Sequence, residues 1–320
     1  MFKSPLRFLI ATVICLLSPI LLIGAERNVV EVTAPQTKDI NVLLLGRDTE
    51  SGLYDVIMLL AYSNGDAKVL QIPRDTYVNL GKDSYKKING AHRVLLGEGE
   101  LCGKLSSAFD IEIDGYVSFD TELVKKAVDA VGGITVDVPA DMDYDDPYQD
   151  LSIHIKKGTK TLDGKEAVDF LRFRSGYLRA DIGRMDAQKI FMSAFVKKVL
   201  SLDKISVKLM GIAARHVRTD LNLVTLYELF EEVKENEDLS VSFATLPGEE
   251  VRSKLSGAWF YVLSKSGCVR LLGNENFDSE GIFVDPYREE FLNIYNSDIK
   301  PQIYSADEID KDGIEIKERK

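Results

Sequence analysis

Strand-length apolar runs alternate along this chain with stretches whose apolar residues recur at helical spacing. Ile40 to Leu45, apolar but for Asn41, predicts a buried strand that ends in Gly46-Arg47-Asp48 and so feeds a loop. Asp55 to Tyr62 predicts a second buried strand, and Asn64-Gly65 predicts a hairpin turn into a third, Lys68 to Ile72, which stops at Pro73-Arg74-Asp75-Thr76. Gly90 to Phe109 reads as one helix whose continuity Gly97, Gly99 and Gly103 weaken. Ile111 to Val117 reads as a short strand. Asp120 is the expected cap of a helix with Leu123, Ala127, Val128 and Val131 on its apolar face, closed by Gly132-Gly133. Ile134 to Pro139 returns as a strand. Asp141 to Pro147 is acidic, lacks the glycine and distal glutamate of an EF-hand, and predicts a rigid turn. Ile190, Phe191, Ala194, Phe195 and Leu200 keep a helical apolar face suited to core or to a pocket wall.

The N-terminus carries an address. Lys3 and Arg7 precede Phe8 to Ala25, an uncharged run interrupted by Thr12, Ser18 and Pro19. Its length approaches what a bilayer requires and Ile23-Gly24-Ala25 makes a poor cleavage site, so residues 8–25 predict an uncleaved transmembrane signal anchor. Positive charge ahead of it keeps residues 1–7 as a cytoplasmic tail and sends the C-terminal domain outside, a single-pass protein of the cell membrane. Residues 26–39, polar and holding Pro35, predict a stalk.

Composition narrows the partners. The chain has 320 residues, 45% hydrophobic and 28% charged, enough for one large domain or two modest ones. A net charge of −11 argues against nucleic acid, which is held by a broad basic surface. His92, His154 and His216 show no metal-ligand spacing, so zinc has no support. Cys102 and Cys268 leave a disulfide or two buried free thiols open, with free thiols favoured.

Against that acidic background, Phe170 to Lys189 gathers Arg172, Arg174, Arg179, Arg184 and Lys189. Guanidinium forks match phosphate oxygens bidentately and keep their charge, which suits a pyrophosphate. On a strand, Leu171-Arg172-Phe173-Arg174 would turn Arg172 and Arg174 to one face and one ligand. Past Ser175-Gly176, Asp181 is the expected N-cap of a helix on which Arg184 and Gln188 share a face. A solvated basic surface laced with ion pairs is the competing reading. Asp48 and Asp55, at the end of one strand and the start of the next, are placed either to share a hard cation such as Mg2+ or to cap loops.

In this order, GRD, DVIML, IPRDTYV, KINGAH, GGITVDVP, MDYDDP, LRFRSGY and DIGRMDAQ resemble the LytR-CpsA-Psr family over roughly residues 40–250, leaving 251–320 as an extension of unknown role. The resemblance implies an α/β fold, an α-β-α sandwich around a central mixed β-sheet. It implies a membrane-anchored phosphotransferase of Gram-positive cell-wall biogenesis. Such an enzyme moves a glycopolymer, teichoic acid or capsule polysaccharide among them, from an undecaprenyl-pyrophosphate carrier to the N-acetylmuramic acid of peptidoglycan, with a side pyrophosphatase activity. Carried over residue by residue, the family's Mg2+ ligands fall on Asp48 and Asp55, and its pyrophosphate-binding side chains on Arg74, Arg172, Arg174, Arg184 and Gln188. Asp75 and Asp181 belong to the same motifs; Asp181 joins the substrate-binding set. Asp75 joins Arg74, Arg172, Arg174 and Arg184 in the catalytic set as the carboxylate that takes a proton from a sugar hydroxyl. One departure is Leu53, where many members carry an arginine.

Other classes compete with this one. A noncatalytic polyisoprenyl-pyrophosphate binding protein would use the same arginines, and turnover alone separates the two; a carrier hydrolase is a lesser variant. A transcription attenuator would need a cytoplasmic basic face, against which both the acidic composition and the anchor argue.

Overall fold

The computed structural model describes residues 39–49, 51–63, 65–81, 86–147, 151–177, 180–200, 211–212, 215–222 and 240–305, without the side chains of 180–182, 196–197, 199–200 and 305. The expected tail, the anchor and all of the stalk but Asp39 lie outside these residues, as does Arg179. Among the described residues no helix is long and apolar enough to cross a membrane.

The three N-terminal strands form as their patterns predict. β1 (Ile40–Arg47), β2 (Tyr54–Ser63) and β3 (Asp66–Gln71) pair antiparallel in sequence order. The expected single helix at 90–109 is two, α1 (Ala91–Val94) and α2 (Glu98–Phe109). Leu95 turns extended and Gly97 sits at φ +115, a conformation that glycine alone adopts without strain. The strand expected at 111–117 starts later, as β4 (Gly115–Asp120), parallel to β1. Ahead of it the chain is tied down otherwise, Asp114 N–H donating to the Asn41 carbonyl at 2.8 Å and Ile113 N–H to Ser106 Oγ at 3.0 Å. α3 (Thr121–Ala130) starts at the predicted cap, the Asp120 carboxylate accepting from Leu123 N–H at 2.8 Å.

β5 (Ile134–Val138) follows as expected. The acidic segment read as a turn is instead β6 (Met142–Asp146), antiparallel to β7 (Leu151–Ile155). Its alternation overrides its charge: Met142 is buried with Ile153 and Ile155, while exposed Asp143 meets His154 at 2.7 Å. β8 (Gly158–Leu162) pairs with β5 and leads to α4 (Gly164–Arg172) and α5 (Ala180–Leu200).

After β9 (Val217–Thr219) come β10 (Ser240–Thr245), β11 (Gly248–Arg252), β12 (Trp259–Leu263), α6 (Lys265–Leu272), α7 (Glu289–Tyr295) and β13 (Ile303–Ser305). The central sheet runs β13-β10-β3-β2-β1-β4-β9 and mixes parallel with antiparallel pairs, giving the mixed α/β fold expected. Residue 250 lies inside β11, and Phe260, Cys268, Phe283 and Phe291 beyond it belong to the same core as Leu43 and Ile57. Cys102 and Cys268 are free and buried.

Candidate functional site

β1 and β2 send alternate side chains to opposite faces of the sheet. Leu43, Leu45, Ile57 and Leu59 enter the core built with α2 and the C-terminal segment. Leu44, Gly46, Val56 and Met58 face a cavity of about 1270 Å³ of non-atom space, counting the solvent at its mouth. α3 walls it with Leu123, Val124 and Ala127, α4 with Val168 and Leu171, and α5 with Phe191, Met192 and Phe195. Of the helical apolar face read from Ile190 onward, Ile190, Phe191, Ala194 and Phe195 all pack on the cluster between helices and β5–β8, and Phe191 and Phe195 line the cavity as well.

The polar residues of this wall include Asp48, Asp55, Arg172, Arg184 and Gln188. Asp48 is buried in the turn after β1, its carboxylate accepting from Ser51 N–H at 2.7 Å. Asp55 opens β2, and its carboxylate forms an ion pair with Arg74 and lies 3.7 Å from the Arg184 guanidinium. Burial alone would raise the Asp55 carboxyl; the positive charges of Arg184, Arg74 and, farther off, Arg174 outweigh it and hold it below the usual carboxylate range.

Arg74 comes from the turn after β3, closed by Thr76 N–H and Oγ1, both donating to the Pro73 carbonyl at 2.9 and 2.6 Å. Asp75, next to it, turns to Lys87 at 2.9 Å and stands outside the cavity lining.

Arg172 and Arg174 do not lie on a strand. The four residues from Asp163 carry a capping box in which Glu166 N–H donates to Asp163 and Asp163 N–H to Glu166, so a helix nucleates here and runs to Arg172 with Ala167 and Phe170 buried. Arg172 therefore reaches the cavity from the last turn of α4. Phe173 is extended and buried, and Arg174 follows it exposed, its charge felt at Asp55. Asp181 is likewise not a cap, being the second residue of α5; its side chain lies outside those described.

Arg184 and Gln188 share one face of α5 as predicted, both 3% exposed. Gly183 makes this approach possible, since a Cβ there would stand 2.5 Å from the buried Tyr177 side chain. Lys189, by contrast, serves packing: it pairs with Asp186 at 2.8 Å, reaches Thr245 at 3.4 Å and lies over the Tyr304 ring. The cavity-facing residues of β1, β2 and α3 escaped the sequence reading. Alternation told which residues share a face, but nothing in it told which face stays open.

A site with apolar walls and arginines and aspartates in its lining has the chemistry to accept a ligand with an apolar part and an anionic head. The family model described as the LytR_cpsA_psr family matches residues 23–275. The polyisoprenyl-teichoic acid–peptidoglycan teichoic acid transferase TagU of Oceanobacillus iheyensis is 30% identical over 237 residues, covering 70% of this chain and 71% of that protein. The enzyme of the same description, TagV, from Bacillus subtilis is 33% identical over 210 residues, covering 60% of this chain and 52% of that protein. The crystal structure of B. subtilis TagV superposes with a TM-score of 0.61 at 26% identity, over 76% of this chain and 97% of that one. With the model spanning both the arginine-bearing helices and the aspartate loop, this chain belongs to the LytR_cpsA_psr family.

Proposed function

We propose that this protein is a phosphotransferase that moves a glycopolymer from an undecaprenyl-pyrophosphate carrier to peptidoglycan, in a domain held outside the cell by residues 8–25. The observation that carries it is the seating of Asp55 and Arg184 in the wall of an apolar cavity, with Arg74 paired to Asp55. The cavity takes the polyprenyl chain, which buries apolar surface at roughly 25 cal/mol per Å². Arg74, Arg172, Arg174 and Arg184, with Gln188, bind the pyrophosphate.

Transfer requires a sugar hydroxyl of the acceptor to attack the phosphorus that bears the glycopolymer. The bond from that phosphorus to the bridging oxygen breaks, and the lipid phosphate leaves with the electron pair. Preorganised guanidinium groups stabilise the charge that gathers on the leaving phosphate. Asp75, next to Arg74 in the chain and paired with Lys87, is the carboxylate assigned to take the hydroxyl proton.

Two carboxylates lining one cavity beside a phosphate site fit Mg2+, which is commonly held by one or two carboxylates together with substrate phosphates. Asp48 and Asp55 would hold it, and when bound it supplies neutralising charge to the pyrophosphate oxygens.

The test is the full chain incubated with synthetic lipid-pyrophosphate-sugar, peptidoglycan oligomers and Mg2+, with products read by mass spectrometry. Transfer to the oligomer supports the reading. Release of sugar phosphate without transfer would make the protein a hydrolase, and tight carrier binding with neither product would leave a binding protein in its place.

A further inference from the structure

Apart from the pairing of Lys87 with Asp75, the segment from Lys87 to Arg93 takes no part in the chemistry above, yet it touches both charged loops. At one end it holds the Arg74 turn: Ile88 N–H donates to the Thr76 carbonyl at 2.9 Å, Asn89 N–H to the Arg74 carbonyl at 3.1 Å, and Lys87 pairs with Asp75. At the other end α1 reaches the loop between β1 and β2. The Arg93 guanidinium donates to the Ser51 carbonyl, and the His92 ring packs on Tyr54 at 4.6 Å, whose hydroxyl donates to Glu98 at 2.6 Å.

Ser51 is the residue that fixes Asp48. Its N–H donates to Asp48 Oδ1 at 2.7 Å. Its carbonyl shares a peptide plane with Gly52 N–H, which donates to the Asp48 carbonyl at 2.9 Å. A guanidinium on that carbonyl polarises the plane and pins its direction. Gly52 completes the turn at φ +65, where a Cβ would stand 3.4 Å from the Arg93 guanidinium. Thus Asp48 has its side chain and its carbonyl both held by a two-residue turn, and Arg93 clamps that turn from a different element.

We infer that Arg93 is a positioning residue, which acts through Ser51 to hold the Asp48 carboxylate in the orientation that a cation shared with Asp55 requires. This rests on the assignment of Asp48 and Asp55 to Mg2+. A group that orients a metal carboxylate changes metal affinity by about tenfold or more when removed, while leaving alone the affinity set by other side chains.

The experiment is calorimetric titration of the full chain in detergent with farnesyl pyrophosphate as probe, with and without Mg2+. Arg93→Ala should weaken Mg2+ binding in the presence of the probe about tenfold. Probe affinity without Mg2+ should stay at the wild-type value because the four arginines remain. Arg93→Lys, which restores one charged donor, should recover most of the loss. Arg93 is exposed, so the melting midpoint without ligand should not move. Gly52→Ala, which strains the same turn and leaves Arg93 in place, should lower Mg2+ affinity in the same direction. The inference is overturned if Arg93→Ala binds Mg2+ like the wild type, or loses metal-free probe affinity to the same extent. If wild-type protein binds the probe identically with and without Mg2+, the assignment of Asp48 and Asp55 fails, and this inference with it. Wild-type Mg2+ dependence lost on Asp48→Ala but kept on Arg93→Ala would sink this inference alone.

Discussion

The two faces of the central sheet are built from the same strands and the same residue types, yet one is filled and the other is hollow. Beneath one face Phe109, Phe277 and Phe283 stack with centroids 5.7 to 5.9 Å apart, and the C-terminal segment closes over them. Burial there pushes the Cys102 thiol up to about 12, so it behaves as a small apolar side chain. Over the other face α3, α4 and α5 stand off, and the space they leave ends in Arg184, Gln188 and Asp55. An apolar sheet face is thus no assurance of a packed core. What decides is whether side chains from distant segments, here Phe277 and Phe283, fill the layer against the sheet.

Breaking the filled face should have the largest effect on stability. Phe283→Ala removes a fully buried ring from the stack and should cost about 4 kcal/mol, read as a fall in urea midpoint at unchanged m. On the hollow face the largest effect should be on rate. Arg184→Ala removes a preorganised positive charge and should slow single-turnover transfer about a hundredfold, or ~3 kcal/mol, by more than it weakens carrier binding. A loss confined to affinity would transfer the role from catalysis to binding.

Enlarging a side chain tests the contrast directly. Ala108→Phe overpacks the filled core and should destabilise by about 2 kcal/mol. Val124→Phe grows into the cavity and should leave thermal stability within about 0.5 kcal/mol. The same change should weaken polyprenyl-pyrophosphate binding several-fold. If both variants lose stability alike, the two faces are not different in kind.

The smallest expected effect is a pH slope on the filled side. Asp278 is buried beneath the aromatic stack, accepting from Ile282 N–H at 2.6 Å, Phe283 N–H at 3.2 Å and the Tyr295 hydroxyl at 2.8 Å. Burial raises its pKa despite these bonds. A folded pKa above the unfolded value of about 3.9 means that its contribution is complete below that pH and is lost as pH rises through the folded value. Asp278→Asn should therefore flatten the decline of the urea midpoint above about pH 4 relative to wild type. An identical slope in both proteins would show that the group is not the source.

Much of the architecture was legible because it is local. The apolar hexamer at Ile40, the hairpin at Gly65, the Asp120 cap and the Gly132-Gly133 stop each act through a few neighbouring residues, and each formed where the pattern put it. The errors were local rules read without their competitors. Alternation in Leu171 to Arg174 suggested a strand, but the capping box at Asp163 and Glu166 lies outside that window and committed the segment to a helix. Charge in Asp141 to Pro147 suggested a turn, but the partner strand that makes it a hairpin begins at Leu151.

By itself, the sequence determined the first three strands, the Asp120 cap and the residue types gathered at the site, because side-chain type and spacing are written in one dimension. Only the tertiary structure decided that Arg74 from one turn and Arg184 from a helix more than a hundred residues later meet at Asp55. It alone decided that Asp75 faces Lys87, and that one sheet face is sealed by Phe277 and Phe283 while the other stays open. The reason is that such meetings depend on how helices and strands far apart in the chain pack in layers, and that packing is settled by the summed burial of the whole core rather than by any stretch of it.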